Sequence, residues 1–322
     1  MVGKSAAFLK MTALIAKIAD CDAPVLLEGE TGTGKELVAR AIHYQGKRRD
    51  LPFVPVNCGA IPDVLIENEL FGHRKGAFTD ARGDQPGLIA HARSGTLFLD
   101  EVDALSPKGQ VTLLRFLQDQ HYRPLGDPRE HATDVRIMAA SNVSLAKLAE
   151  AGQFRTDLLY RLKILFLELP PLRERPGDPV LLAEHFARVC SQRFGKPLKT
   201  FHPDMLAWIA AYPWPGNIRE LENWVYREVL LADGPVIHPS PVDRLPMERR
   251  RRGDRRRLEI DELDYATARA KVLEDFETQF LASVLAKAEG NVTAAANLAG
   301  TERRYLGKLL KKRGLDRTHY HA

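Results

Sequence analysis

Between Val25 and Leu169 short apolar runs alternate with stretches in which apolar residues recur every three or four positions. The runs read VLLEG, FVPVN, TLFLD, VRIMAAS and ILFLELP, beginning at Val25, Phe53, Thr96, Val135 and Ile164. They are aliphatic or β-branched with little polar alternation, the pattern of strands covered on both faces. Helix-length sequence separates them, which predicts βα units and a mostly parallel sheet. The N-terminal MVGKSAAFLKMTALIAKIAD is spaced like a helix. From Asp178 to about Asp233 the pattern turns wholly helical, through DPVLLAEHFARVCSQRF, HPDMLAWIAAY and NIRELENWVYREVLLADG. This predicts a small α-domain, with Trp208, Trp214 and Trp224 in its core or packed near a nucleotide. After about Tyr265 the chain is helical again. A first helix ends near Gly290, TAAANLA forms a second, Gly300 turns the chain, and ERRYLGKLLKKRG forms a third. That is helix-turn-helix architecture.

Composition changes this picture little. The 322 residues are 44% hydrophobic and 28% charged, ordinary for a globular protein. No apolar run is long enough to span a bilayer, and the N-terminus lacks the apolar core and cleavage site of a signal peptide. Cys21, Cys58 and Cys190 have no zinc-type spacing and read as free buried thiols in a reducing cytosol.

Charge changes it more. Residues 246–322 hold 17 Lys and Arg against 12 Asp and Glu, whereas the preceding 245 residues hold 30 of each. Seven arginines fall between Arg249 and Arg257, a run that repels itself and cannot pack. A neutral body with a basic tail predicts that the tail meets a polyanion. The expected organisation is an α/β domain over 1–172, a helical domain over 173–245, a basic linker over 246–264 and a helix-turn-helix domain over 265–322.

The chemistry begins at Gly29-Glu30-Thr31-Gly32-Thr33-Gly34-Lys35-Glu36, which follows the strand VLLE and opens the helix ELVARAIHY. Here the spacing G-x-x-x-x-G-K stands in its required strand–loop–helix context. Glycines let backbone N–H groups turn inward around phosphates, the helix N-terminus adds positive potential, and Lys35 reaches the β- and γ-phosphates of ATP. Glu36 replaces the usual hydroxyl ligand for Mg²⁺. GTLFLDE supplies Asp100 to hold Mg²⁺ and Glu101 to polarise the attacking water. Strand C-termini in open α/β sheets converge on the ligand crevice, so the two motifs belong together. Arg155 and Arg161 in FRTDLLYRL have two readings, a salt-bridged helix face or cations for phosphoryl transfer. WPGNIREL puts Arg219 just inside a helix of the α-domain, where its spacing also suits a partner for Glu222.

In order and spacing, GETGTGKE, FVPVNCGAI, ELFGHRKGAFTDA, SGTLFLDE, FRTDLLYRL, LPPLRERPGD and YPWPGNIRELEN resemble the AAA+ activators of sigma-54 RNA polymerase. The resemblance covers nearly the whole chain, and Glu36 is ordinary for that family. It implies an AAA+ P-loop ATPase with an α-helical lid and a Fis-type DNA-binding module. It implies that Asn57 restrains Glu101, that Ser141 and Asn142 form a first sensor, and that Arg219 is a second. Arg155 and Arg161 would be fingers reaching a neighbouring subunit's ATP in a ring, usually hexameric. Gly76, Ala77, Phe78, Thr79 and Asp80 match the surface loop that presses on sigma-54, with Asp80 where the family has glycine.

The third C-terminal helix would place Thr301, Arg303, Arg304, Tyr305, Lys308, Lys311 and Lys312 against double-stranded upstream DNA, its N-terminal residues entering the major groove. The family's usual regulatory domain is expected to be lacking, since the resemblance starts with the first residues. Two rival readings stay open: an AAA+ remodeller with another protein client, and a DNA-binding regulator of the same ancestry that no longer engages sigma-54.

Overall fold

A computed structural model of the chain describes residues 1–239, 281, 284, 288, 291–301 and 303–312. The expected basic linker, most of the first C-terminal helix, Arg313 and the side chains of Lys311 and Lys312 lie outside the described residues. The chain divides into two compact units, Met1–Asp243 and Arg244–Ala322.

Each of the five apolar runs is a strand: β1 (Val25–Glu28), β2 (Phe53–Asn57), β3 (Thr96–Asp100), β4 (Arg136–Ser141) and β5 (Leu165–Glu168). They form one sheet in the order β2-β3-β4-β1-β5, with every pairing parallel. Successive residues serve opposite faces. Leu26, Leu97, Leu99, Ile137 and Ala139 join one core, while Val25, Leu27, Phe98, Met138 and Ala140 join the other. Covering both faces explains why the runs show no alternation with polar residues.

Helices α1 (Ala6–Ala19) and α2 (Lys35–Gln45) cover the second face. Helices α3 (Pro107–Asp119) and α4 (Thr156–Leu162) cover the first. Local chemistry sets their starts. The Ser5 hydroxyl accepts the Phe8 N–H at 3.2 Å to cap α1, and Ser106 caps α3 with Pro107 in its first turn.

The lid is built from α5 (Asp178–Phe194), α6 (Pro203–Ala211) and α7 (Asn217–Leu231). Its core holds Trp214 and Trp224, and Trp208 packs edge-on against Trp214 at 5.7 Å between ring centres. The three tryptophans are thus lid core. Cys58 and Cys190 are buried and free, but Cys21 is exposed. It follows the last turn of α1, just beyond the apolar stripe. In the second unit α8 (Val292–Leu298) and α9 (Arg303–Lys312) share a small core of Ala295, Ala296, Leu306 and Leu310.

Asp178, fully buried at the start of α5, fastens the N-terminal segment to the lid. Its Oδ1 accepts the N–H groups of Lys4 (2.7 Å) and Ser5 (3.0 Å). Its Oδ2 accepts the Ser5 hydroxyl (2.8 Å) and Arg175 Nε (2.9 Å). Burial alone would raise its pKa, but the bonds from Lys4, Ser5 and Arg175 outweigh that and hold it below the usual range. A carboxyl depressed by folding contributes stability above its unfolded pKa and loses it as pH falls through the folded value. Asp178→Ala would leave the Arg175 guanidinium buried without its partner, and should lower stability by about 3–5 kcal/mol. Urea unfolding at neutral pH checks this; a loss under about 1 kcal/mol would show the clasp to be dispensable.

Candidate functional site

The phosphate-loop residues Gly29 to Gly34 run from the end of β1 to the start of α2. Lys35 is nearly buried, and its ammonium donates to the carbonyls of Gly29 (2.7 Å) and Glu30 (3.2 Å) and to Asn142 Oδ1 (2.6 Å). Burial pushes the Lys35 pKa down, against the pull of the Asp100, Asp103 and Glu101 carboxylates. Asp100 shifts the other way. Burial raises its pKa, opposed by the Glu101 N–H on its Oδ1 (3.0 Å) and by the Lys35 charge. One cation and three carboxylates therefore converge where β1 and β3 end, as strand ends in an open α/β sheet should.

Glu101 adopts a left-handed backbone, φ 54°. That conformation is uncommon for a residue with a side chain and tends to occur where function demands it. Its Oε1 accepts Asn142 Nδ2 at 3.5 Å, the limit of a hydrogen bond. The resemblance implies that Asn57 restrains it. Among the described residues Asn57 makes no hydrogen bond to Glu101. Its Oδ1 accepts the Gly59 N–H at 2.8 Å, capping the single turn Cys58–Ala60. Both side chains nevertheless flank Gly59, where a Cβ would stand 2.9 Å from Glu101 Oε2 and 3.3 Å from Asn57 Oδ1.

Of the sensor pair, Asn142 reaches the site through Lys35 and Glu101. Ser141 is fully buried, and its hydroxyl donates to the Val143 carbonyl at 2.7 Å. Its side chain supports the turn, while its carbonyl accepts the N–H of Gly29, the first residue of the loop, at 3.3 Å. Glu36 points outward and pairs with Arg40 at 2.7 Å.

A cavity of about 530 Å³ adjoins the loop. Val2, Phe8, Leu37, Leu182 and Ile218 supply apolar walls, and Gly32 to Gly34 with Arg219 form the polar end. A cavity with apolar walls beside a glycine-rich loop suits a nucleotide. Glu222 also lines the cavity, but among the described residues Arg219 forms no ion pair with it. Arg155 and Arg161 are exposed. Arg155 lies in a fork with Asp157 (3.0 and 2.7 Å), the salt-bridged helix face that its spacing allowed. Arg161 has no ion pair among the described residues. Neither makes a hydrogen bond to the phosphate loop of its own chain.

The segment Gly76–Asp80 is a closed turn. The Gly76 N–H donates to the Ala81 carbonyl (2.9 Å) and the Ala81 N–H to that of Phe78 (3.0 Å). Phe78 is 44% exposed, and its ring rests on His73 with 4.9 Å between centres. Thr79 and Asp80 are exposed. The base of the turn is tied down, which sequence reasoning missed. Arg74 Nε donates to Asp127 (2.9 Å) and its Nη1 to Asp84 (2.6 Å), while Asp84 also accepts the Lys75 N–H (2.8 Å). Asp127 belongs to the loop joining two short paired strands, His121–Tyr122 and His131–Ala132. The Arg129 N–H and the Arg74 guanidinium hold its carboxyl well below the usual range.

In the second unit Asn291 caps α8, accepting the N–H groups of Thr293 (3.0 Å) and Ala294 (3.2 Å). The Thr301 N–H donates to the Ala296 carbonyl at 3.0 Å, closing the turn into α9. Arg303, Arg304, Tyr305 and Lys308 are exposed on α9.

Comparison with known proteins finds relatives of both domains. Residues 1–168 match the sigma-54 interaction domain and residues 173–258 an AAA+ ATPase lid domain. The response regulator protein PilR of Pseudomonas aeruginosa is 43% identical over 318 residues, covering 98% of this chain and 70% of PilR. The hydrogenase transcriptional regulatory protein HoxA of Cupriavidus necator is 42% identical over 301 residues, 94% of this chain and 62% of HoxA. The crystal structure of NtrX from Brucella abortus in complex with ATP superposes with a TM-score of 0.76 at 32% identity, covering 98% of this chain and 69% of NtrX. The chain thus spans roughly two thirds of the length of these relatives.

Arg74→Ala removes both anchors at the base of the surface turn. Amide hydrogen exchange over residues 75–82 should rise severalfold while that of α1 stays unchanged. Unchanged exchange in the turn would mean that its own hydrogen bonds suffice to hold it.

Proposed function

The chain belongs to the sigma-54 interaction family of AAA+ ATPases, and on that premise we propose that it is an ATP-driven activator of sigma-54-dependent transcription. ATP enters the cleft between α1, the phosphate loop and the lid. Lys35 and the loop N–H groups meet its phosphates, and Glu101 orients the attacking water. Among the described residues there is no cluster of three or more potential metal-ligating groups. Mg²⁺ would arrive on the nucleotide and take one or two carboxylates from the protein, here Asp100. The ion would neutralise developing charge on the phosphates. Asn142, bonded to both Lys35 and Glu101, keeps the two groups in register, with Asn57 beside them. Arg219 meets the phosphates from the lid.

Arg155 and Arg161 act in trans in this reading. Both are exposed, and phosphoryl transfer gains from a cation delivered by a neighbour. A ring of identical head-to-tail contacts, hexameric as the resemblance implies, would bring them to the next subunit's ATP. In the second unit, Thr301 and the basic face of α9 would dock on upstream DNA. Lys311 and Lys312 fall on the same helix, and phosphate contacts would supply most of the affinity.

The observation that carries the reading is Phe78. A large apolar side chain is presented on the tip of a turn whose base is clamped by ion pairs, in the same subdomain as the phosphate loop and the acidic strand end. Such a tip suits contact with another protein better than it suits chemistry. No helix among the described residues is long and apolar enough to cross a membrane.

The assignment of hydrolysis is checked by three variants. Lys35→Ala should abolish nucleotide binding, and Glu101→Gln should bind ATP without cleaving it. Arg161→Ala should keep binding and lose turnover on the order of a thousandfold. Turnover within a few-fold of wild type in Glu101→Gln would remove that residue from the catalytic role.

The assignment of the loop rests on a different variant. Thr79→Ala should keep ATP hydrolysis and lose the binding of sigma-54 that a transition-state analogue of ATP promotes, whereas Asp80→Gly should be tolerated. Normal sigma-54 binding by Thr79→Ala would favour a remodeller with another client.

A further inference from the structure

Asn217 is the first residue of α7 and is fully buried in a left-handed conformation, φ 53°. A glycine would adopt that backbone without strain, so the amide side chain has a task that offsets the cost. Each of its polar atoms is engaged, and each with a different element. Oδ1 accepts the N–H of Leu172, in the segment leading from the sheet to the lid, at 2.8 Å. Nδ2 donates to the Thr31 carbonyl and to Glu30 Oε2 in the phosphate loop, both at 3.1 Å. The Glu30 carboxylate is gripped on its other side by Arg173, through 2.7 and 2.8 Å bonds. Arg173 and Asn217 together hold its pKa below the usual range.

The next two residues complete the junction. The N–H groups of Ile218 and Arg219 both point at the Gly32 carbonyl, at 3.0 and 3.3 Å. The lid helix therefore begins directly on the phosphate loop, and Asn217 sets its angle by bonding the loop, the connecting segment and the helix at one point.

We infer that Asn217 is the positioning residue that locks the start of the lid helix to the phosphate loop, so that Arg219 is carried to the nucleotide's terminal phosphate as the loop closes on it. Asn217 touches no nucleotide atom in this account and acts through Arg219. The inference rests on the reading of Arg219 as a phosphate ligand, and its test separates the two.

The experiment is a double-mutant cycle on single-turnover ATP hydrolysis with the full chain, each rate normalised to the stoichiometry of bound nucleotide. Asn217→Gly keeps the backbone conformation and removes the three side-chain bonds. It should cut the rate at least about tenfold, as Arg219→Ala should, while KM changes less than about threefold, the signature of an interaction gained in the transition state. Combining the two should cost no more than about twofold beyond Arg219→Ala alone, because residues that act through one another are not additive. Full additivity, or a normal rate in Asn217→Gly beside an impaired Arg219→Ala, would overturn the inference alone. A normal rate in Arg219→Ala would overturn the reading of Arg219 and the inference with it.

If Asn217→Gly does not fold, the exchange Asn217→Asp with Glu30→Gln decides. It swaps donor and acceptor across the 3.1 Å contact with Glu30 and leaves the Thr31 carbonyl unmet in both variants, so part of the lost rate should return. Glu30→Gln should restore severalfold the rate lost in Asn217→Asp, and absence of any rescue would count against the lock.

Discussion

The nucleotide site depends on Gly32 having no side chain. Its backbone takes φ 81°, and a Cβ there would stand 2.2 Å from the Gly216 carbonyl of the lid. With only hydrogen in that space, the lid approaches until two of its N–H groups share the Gly32 carbonyl. The cleft follows from this approach. One wall belongs to the sheet domain and the other to the lid, so a molecule between them would touch both. Any side chain at residue 32 would separate the walls.

The surface turn is arranged on a different principle. The buried carboxylate of Asp127 collects Arg74, Arg129 and the neighbouring His131, and so binds the turn to a second loop instead of leaving it free. His73 fixes the near side, since Asn68 holds its Nδ1 at 2.7 Å while its ring carries Phe78. Only the tip, Phe78 to Asp80, is left to make outside contacts. Movement of such a tip must come from movement of the elements beneath it, and those elements share a hydrophobic core with the strands that end at Asp100 and Ser141. The ATP site and the turn are in this sense two outlets of one packed layer.

Much of this was legible in the sequence. Strands covered on both faces have to be apolar throughout, so VLLE, TLFLD and RIMAAS stood out, and the phosphate loop announced itself by its place between a strand and a helix. Hidden from the sequence were polar contacts between distant positions. Asp178 meets Ser5 across 173 residues, Asn217 meets Glu30 across 187, and Arg74 meets Asp127 across 53. Each of these polar residues reads locally as a cap or a solvated charge, because nothing in its neighbours reveals the partner. Asn57 shows the local part of this: its Oδ1 caps its own turn through the Gly59 N–H, as a residue before a short helical turn often does.

The central claim is that ATP hydrolysis in this chain is coupled to sigma-54 through the clamped turn. It is tested most directly by transcription in vitro from a sigma-54 promoter and a sigma-70 type promoter, with the purified chain, the matching RNA polymerase holoenzyme, and either ATP or a non-hydrolysable analogue. The account predicts transcript from the sigma-54 promoter alone, and only with hydrolysable ATP. Vigorous ATP hydrolysis with no sigma-54-dependent transcript would contradict it.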